Sequence, residues 1–469
     1  MRITPTAIEG LLIVELDRHG DNRGWFKENW QREAMCAAGL PDFGPVQHNL
    51  SFNSAAGVTR GLHAEPWDKM VSVATGKVFG AWCDVRAGSA TYGEVVTHAL
   101  DTATAVFVPR GVANGFQAQV ENTVYSYLVS DHWSPEADYT AVNLDMIDWP
   151  LEPTEISDKD RAHPPLASVE PMQPRKILVT GANGQLGRAL RQVYPAKDFP
   201  HVEFATRAEF DITADDIANA RPWRQYSAII NCAAYNDVNG AEMDRERAWA
   251  VNATAPARLA AIAAENQLTL VHVSSDYIFD GRNGTATAGG STQAHDESEL
   301  PSPLSTYGAS KAAGDTAAQT APRHYVVRTA WVFGDGANFV DTMRQLAQRG
   351  IEPKVIHDQR GRPTFAEDLA KGIKHLLEAG PAKAAYGVYN LTNGGDSVGR
   401  DEIAMATFIG LGHDPSEVHS VSTAEYHQEQ GPEARRPGES TLDLSKITAT
   451  GFQPMNWRAA LALYLALYA

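Results

Sequence analysis

The chain has 469 residues, 43% of them hydrophobic, and a formal net charge of −17 from 40 Lys and Arg against 57 Asp and Glu. Such a length asks for two or three cores rather than one, and the acidic balance argues against nucleic acid as a partner while leaving room for phosphorylated small molecules held by local arginines. Cys36, Cys83 and Cys232 are too scattered for a disulfide framework or a zinc spacing, and no apolar run nears the ~18 residues of a membrane helix, so a cytoplasmic protein without membrane contact is expected.

Residues 1–150 read as β-structure. A single helix is expected near Trp30 to Ala38. Val71, Val73 and Val78 around Thr75-Gly76-Lys77 suggest a hairpin. Thr123 to Ser130 alternates, with Tyr125, Tyr127 and Val129 on one face. Short strands with frequent glycine turns predict a sandwich, jelly roll or barrel. Polar residues cluster at Asp21–Glu28, Gln47–Asn49 and Arg60–His63, with Lys69 beyond. Pointed inward, these groups would have to bind an anion, because unpaired buried charge is costly; pointed outward, they are a solvated face.

In order, DNRGWFKE, QHN, GVTRGLH, DVRAGSATYG, VPRGVANGF and DWP resemble the dTDP-4-dehydrorhamnose 3,5-epimerase family over nearly all of residues 1–150. The resemblance implies an all-β cupin-type jelly roll, usually dimeric and working without metal. It makes His63 the base, Lys69 the cation beside the enolate oxygen, Tyr127 the acid, and Asp145 the group that orients His63. Arg23, Phe26, Glu28, Gln47, Asn49, Arg60 and Asn114 match substrate-contacting positions; Asn114 stands where the family usually has histidine. A metal-binding cupin would need about three clustered ligands. His63 and Glu65 are the only good ones in sight, so no metal is expected.

Leu151 to Arg175 loses all apolar periodicity and gathers Pro153, Pro164, Pro165, Pro171 and Pro174. It reads as a semi-rigid linker over 151–175.

From Lys176 the rhythm changes. Ile177-Leu178-Val179 ends at Thr180, followed by Gly181, Gly184 and Gly187 and at once by a helical pattern. Strand, glycine turn and helix in that order begin a dinucleotide-binding fold. The glycines let the backbone approach a pyrophosphate, and the helix N-terminus offers free N–H groups. Asn183, Gln185 and Leu186 belong to the same turn. Val202–Thr206, Ser227–Asn231 and Leu268–Ser274 continue as strands, a helix is expected over roughly Glu242–Glu265, and Ala233-Ala234-Tyr235 follows a strand end. The pattern predicts a doubly wound parallel α/β sheet over 176–469.

Near the place where an NAD-binding fold commonly offers a carboxylate to the ribose stand Arg207 and Asp211, and the arginine suits a 2′-phosphate. NADPH is therefore expected at least as well as NADH. Tyr307 and Lys311, four apart at the start of a helical stretch, share one face. A nearby ammonium is expected to lower the phenol pKa, and Ser275 to bond the same carbonyl oxygen.

VTGANGQLG, INCAAYNDVNGAE, VSSDYIFDG, YGASKAAGD, VRTAWVFG, DQRGRPT and ARRPGESTLD resemble the dTDP-4-dehydrorhamnose reductases of the extended short-chain dehydrogenase group, over almost all of 176–469. The resemblance implies a Rossmann sheet with a smaller substrate-binding lobe. It puts Asp276, Tyr277, Trp331, Asn338 and Arg436 at the sugar nucleotide, with Phe339, Gln359 and Thr364 in the same segments. The stretch from Gly281 to Glu297 looks longer than usual and reads as the edge of a lid. The C-terminal Trp457–Tyr468 reads as an amphipathic helix whose leucines belong to the core.

The two resemblances imply consecutive steps on dTDP-sugars, with fusion raising the local concentration of the intermediate. The alternative is a reductase alone, its front domain a degenerate sugar-nucleotide-binding or dimerisation module.

Overall fold

The computed structural model describes every residue except 136, 283–293, 431–432 and 469. The stretch expected to form a lid edge lies mostly outside the described residues. The chain divides into two compact units, Met1–Pro174 and Arg175–Ala469.

In the first unit the alternating segments form two antiparallel sheets. One has six strands in the order Arg2–Pro5, Leu12–Glu15, Thr104–Val108, Lys69–Thr75, Thr123–Val129, Gln47–Asn53; the other runs Thr140–Ala141, Thr59–Ala64, Val112–Ala118, Val78–Asp84, Val95–Leu100. Val71, Val73, Val106 and Tyr125 of the first pack against Trp82, Val112 and Phe116 of the second. This is the expected jelly-roll sandwich. The expected hairpin at Thr75-Gly76-Lys77 is not formed: its two strands belong to different sheets, and the turn carries the chain from one to the other. Gly76 has φ +85°, and a Cβ there would lie 2.3 Å from Thr123 Oγ1, so only glycine makes the crossing. The helix Arg32–Ala37 covers the back of the six-stranded sheet through Met35.

The segment 151–175, expected to be a linker, differs from that reading. It folds back on the first unit, where Val169 and Met172 pack on Leu62, Ala81, Cys83 and Ala113. Each such side chain contributes about 2 kcal/mol of burial. It also forms a short helix, Asp158–Arg161, capped by Ser157. Its prolines interrupt periodicity, so packing rather than pattern holds it down.

In the second unit six parallel strands lie in the order Val202–Ala205, Lys176–Thr180, Tyr226–Asn231, Thr269–Ser275, His324–Thr329, Gly387–Asn390. Helices Gln185–Val193 and Ala366–Lys383 cover one face. Helices Ala255–Glu265 and Thr306–Ala318 cover the other. The sheet is doubly wound, and its order reverses beside Lys176–Thr180. The helix expected over 242–265 is broken: Gly240–Met243 and Arg245–Trp249 lead through a wide π-turn, Ala250–Thr254, into Ala255–Glu265. A smaller lobe gathers helices Phe339–Gln348, Arg400–Gly410 and Trp457–Tyr468. Leu461 and Leu465 of the last helix are core, whereas Leu463 and Leu467 face outward. Among the described residues no helix is long and apolar enough to cross a membrane.

Candidate active sites

In the first unit a cavity of about 300 Å³ opens between the sheets, lined by Gln47, Asn49, His63, Glu65, Tyr127 and Lys159 among others. Strand alternation aims His63, Tyr127 and Asn49 into it from three different strands. Trp67 and Tyr139 add an aromatic wall, edge to face at 5.6 Å. Lys69 is 3% exposed and pairs with the Glu65 carboxylate. Burial, with the charge of Glu65, raises the Tyr127 phenol pKa.

The partner of His63 is not the expected one. His63 Nε2 lies 2.9 Å from Asp160 Oδ1, and Gly61 N donates to Asp160 Oδ2 at 3.1 Å. Asp145 sits exposed on the turn Leu144–Met146 and accepts from Asn143 instead. Burial pushes Asp160 upward, but the bonds from His63 and Gly61 outweigh it and hold the carboxyl at about 2. The His163 ring stands edge-on to His63, centroids 5.2 Å apart. Asp160, Lys159 and His163 were missed because they lie in the stretch read as a linker. A histidine and four charged residues within SDKDRAHPP were the hint.

Several other predicted contacts lie outside the cavity lining. Arg23 pairs with its neighbour Asp21 and is 85% exposed, and Phe26 is 65% exposed on the same hairpin, Arg18–Asp21 with Gly24–Lys27. Glu28 is also exposed. Arg60 turns to Asn53 Oδ1 at 3.0 Å. Asn114 faces His63 in register but accepts from Tyr125 Oη at 3.1 Å, so it braces the core rather than opening on the cavity.

In the second unit a groove of about 320 Å³ lies at the strand ends where the sheet order reverses. It is lined by Gly181, Asn183, Gly184, Arg207, Asp211, Ala233, Ala234 and Tyr235, and by the unanticipated Arg247. The glycine turn explains itself. Gly181 has φ +66°, and a Cβ there would meet Ala233 N at 2.8 Å; at Gly187 it would meet Gly181 O at 2.5 Å. Gly184 caps the helix Gln185–Val193 with no side chain, leaving its N–H groups open. Leu186 anchors that helix in the core, and Gln185 Nε2 donates to Ala337 O at 3.2 Å. Arg207 is held by Asp211 at 3.1 Å. These residues fit a dinucleotide, with a cation where a 2′-phosphate would sit. Asn252, in the π-turn, clamps the Tyr235 backbone at both N and O (2.9 and 3.0 Å) and donates to Ser310.

Tyr307 and Lys311 lie in the first turns of helix Thr306–Ala318, capped by Ser305. The buried Arg328–Asp315 pair, at 2.9 Å, ties that helix to the sheet. Both side chains are nearly closed from solvent, 8% and 2% exposed. Lys311 Nζ donates to Val273 O at 2.6 Å, and burial lowers its pKa to about 8. The ammonium was expected to lower the phenol pKa; instead burial pushes Tyr307 upward, with Asp276 adding to it and a bond to Ser275 opposing it.

Asp276 does not face open space. It is 2% exposed, with Oδ1 accepting from Ser275 Oγ at 3.1 Å and Oδ2 from Ser440 Oγ at 2.6 Å, and burial raises it to about 6. Tyr277 packs edge to face on Tyr307 at 5.9 Å and accepts from Arg400 Nη2 at 2.8 Å. Arg400, unanticipated, also lies 4.8 Å over Trp331, whose φ is +44°. Asn338 is spent on structure, capping helix Phe339–Gln348 and donating to Gly334 O and Gly336 O. Arg436 pairs with Glu433 and reaches Asn239 Oδ1 at 3.3 Å.

A family profile described as dTDP-4-dehydrorhamnose 3,5-epimerase matches residues 5–168, and one described as RmlD substrate binding domain matches residues 175–469. An RmlC homolog of Streptococcus pyogenes is 46% identical over 36% of this chain and 91% of its own length. A dTDP-4-dehydrorhamnose reductase of Mycobacterium tuberculosis is 38% identical over 62% of this chain and 92% of its own. The solved structure of the Bacillus anthracis dTDP-4-dehydrorhamnose reductase in complex with NADP is 30% identical, with a TM-score of 0.55 over 63% of this chain and 99% of that one. The chain belongs to the dTDP-4-dehydrorhamnose 3,5-epimerase family in its first unit and to the dTDP-4-dehydrorhamnose reductase family in its second.

Proposed function

We infer that this one chain carries out two consecutive steps of dTDP-L-rhamnose synthesis. The first unit epimerises C3 and C5 of dTDP-4-dehydro-6-deoxy-D-glucose. The second reduces C4 of the product with NADPH, or with NADH, to give dTDP-L-rhamnose. One observation carries the reading: a base–acid cavity and a buried Ser–Tyr–Lys set beside a dinucleotide groove occur in the same chain.

The 4-keto group acidifies the C–H bonds on either side of it. His63, oriented by Asp160, removes each proton in turn, and after each removal Tyr127 returns a proton to that carbon from the opposite face. Lys69, held by Glu65, stabilises charge on the enolate oxygen. Gln47, Asn49 and Lys159 bind the sugar nucleotide. In the second unit the bound cofactor supplies hydride to C4. Tyr307 donates the proton to the forming alkoxide, and its raised pKa keeps it protonated for that task. Ser275 bonds the same oxygen. Lys311, one helical turn away, favours the phenolate left behind. Gly181, Gly184 and Gly187 receive the pyrophosphate. Asp276 acts on the substrate through Ser275, and Tyr277, Trp331 and Arg400 form the sugar wall.

A cytoplasmic homodimer is part of the reading. Arg23, Phe26 and Glu28 stand away from their own cavity, and Leu50 and Phe52 on the edge strand Gln47–Asn53 are 65% and 58% exposed. A second copy would cover them, and sedimentation equilibrium tests it.

The test of function supplies dTDP-4-dehydro-6-deoxy-D-glucose and NADPH with no added epimerase. Formation of dTDP-L-rhamnose, lost in His63→Ala, is expected. Product only after adding a separate epimerase would leave the reductase as the sole activity.

A further inference from the structure

The first unit brings together a set of donors that the epimerase chemistry does not need in full. His63, Asp160 and His163 each offer one ligand atom, and the three atoms lie within 4.8 Å of one another. His63 Nε2 is 2.9 Å and His163 Nε2 3.8 Å from Asp160 Oδ1. The His163 side chain is only 7% exposed, yet neither ring nitrogen has a hydrogen-bond partner among the described residues. The Gly61 backbone and the Asp160 carboxylate, 3.8 Å from Nε2, are its polar neighbours. A buried imidazole whose nitrogens make no close hydrogen bond is costly unless something takes a lone pair.

Two imidazoles and a carboxylate suit a borderline-soft divalent ion, not magnesium or calcium. Zinc bonds of about 2.0–2.1 Å put tetrahedral ligand pairs about 3.3 Å apart, so the two spacings to Asp160 need shifts of about half an ångström and the spacing between the rings at most about 1.5 Å. Three protein ligands leave a fourth position, and both histidines line the cavity. We propose that His63, Asp160 and His163 form an inhibitory site for a divalent transition-metal ion of the zinc class. The ion binds Nε2 of His63 in place of the proton shared with Asp160, and that proton moves to Nδ1, the ring's other nitrogen. With Nε2 ligated and Nδ1 protonated, the neutral ring has no free lone pair. It can then accept no proton from C3 or C5, and epimerisation stops while the second unit keeps working.

The inhibition, though not the binding, rests on His63 being the epimerase base. The test uses the full chain freed of metal with a chelator, then titrated with zinc chloride or magnesium chloride. Calorimetry should show one zinc per chain and no magnesium. X-ray absorption should show a nitrogen/oxygen shell without sulfur. Deuterium uptake from D2O into C3 and C5 should fall at least tenfold with zinc bound. His163→Ala, and His163→Asn as a second variant of different shape, should each weaken zinc binding at least tenfold with an unchanged circular dichroism spectrum. Sulfur ligation, equal affinity in the folded variants, or undiminished exchange with zinc bound would overturn the proposal. Exchange by metal-free His63→Ala tests the base assignment by itself.

Discussion

The two units solve the same problem, moving a proton next to a ketone, in opposite ways. In the first the proposed base, His63, is partly open to solvent, its side chain 38% exposed, and it pairs with a carboxylate 97 positions along the chain. In the second the proposed acid, Tyr307, is closed in, and its neighbours lie within one helix turn or one strand end. A barrel collects a site from many strands, so its parts are distant in sequence. A doubly wound sheet presents its site where strands end and helices begin, so its parts come in short runs. Distance between parts, more than the chemistry, separates the two sites.

The largest effects should keep the halves apart. His63→Ala should lower epimerisation about 1,000-fold while leaving reduction of a pre-epimerised ketone untouched. Tyr307→Phe should do the reverse, removing the proton donor but not the hydroxyl partner Ser275, and cost reduction a similar factor. Separate assays of deuterium uptake and NADPH oxidation check both. Crossed effects would break the comparison.

The next effect decides which carboxylate serves His63. Asp160→Asn should cost epimerisation about 100-fold, and Asp145→Asn should cost nothing measurable. Asp160 also bears on stability. Asp160 is held at about 2 in the fold against 3.8 for the free side chain. Its contribution, about 2 kcal/mol, is therefore complete above pH ~4 and is lost as pH falls through about 2. Urea midpoints measured between pH 2 and pH 5 should show that acid loss in the native chain and a smaller one in Asp160→Asn.

Asp160 also marks the limit of what could be read from the residues. Both architectures were legible, because alternation and the strand–glycine–helix pattern are local. Tyr307, Lys311, Ser275 and the glycine turn were legible for the same reason. Asp160 and His163 were not, because prolines erase periodicity in a segment whose place is set by Val169 and Met172 packing on a sheet made far upstream. Asn252 was hidden by a π-turn inside what reads as one helix, and Arg400 by lying in another lobe. The Lys311 contact with Val273 O depends on helix placement, which spacing alone does not give.

A smaller effect probes the closed site through pH. Asp276 is raised to about 6 by burial, so between about pH 4 and 6 the folded chain keeps a proton that the unfolded chain has released. Its contribution to stability is present below that window and falls as pH rises through it. Asp276→Asn should flatten this slope. It should also shift the acid limb of the reductase kcat profile between pH 5 and 7, because Ser275 then meets an amide whose charge never changes. A profile identical to the native one would remove Asp276 from the control of Ser275.

The smallest expected effect lies at the cofactor groove, where the second unit departs from its closed design. Arg207 is 66% exposed and already paired with Asp211. A 2′-phosphate must compete with that carboxylate, so the arginine contributes about 1 kcal/mol or less through a solvent-screened contact. Arg207→Ala should raise the KM for NADPH about fivefold and leave that for NADH unchanged. Asp211→Asn should act in the opposite direction, freeing the guanidinium and lowering the KM for NADPH by a few-fold. The pair of variants is more telling than either alone. If the two residues act on the phosphate only through each other, the double variant should match Arg207→Ala, since Asp211 then has no cation to restrain. Equal losses for NADH and NADPH in Arg207→Ala would instead mean that the ion pair shapes the groove as a whole. In that case Arg247, on the same wall, is the remaining cation for the phosphate.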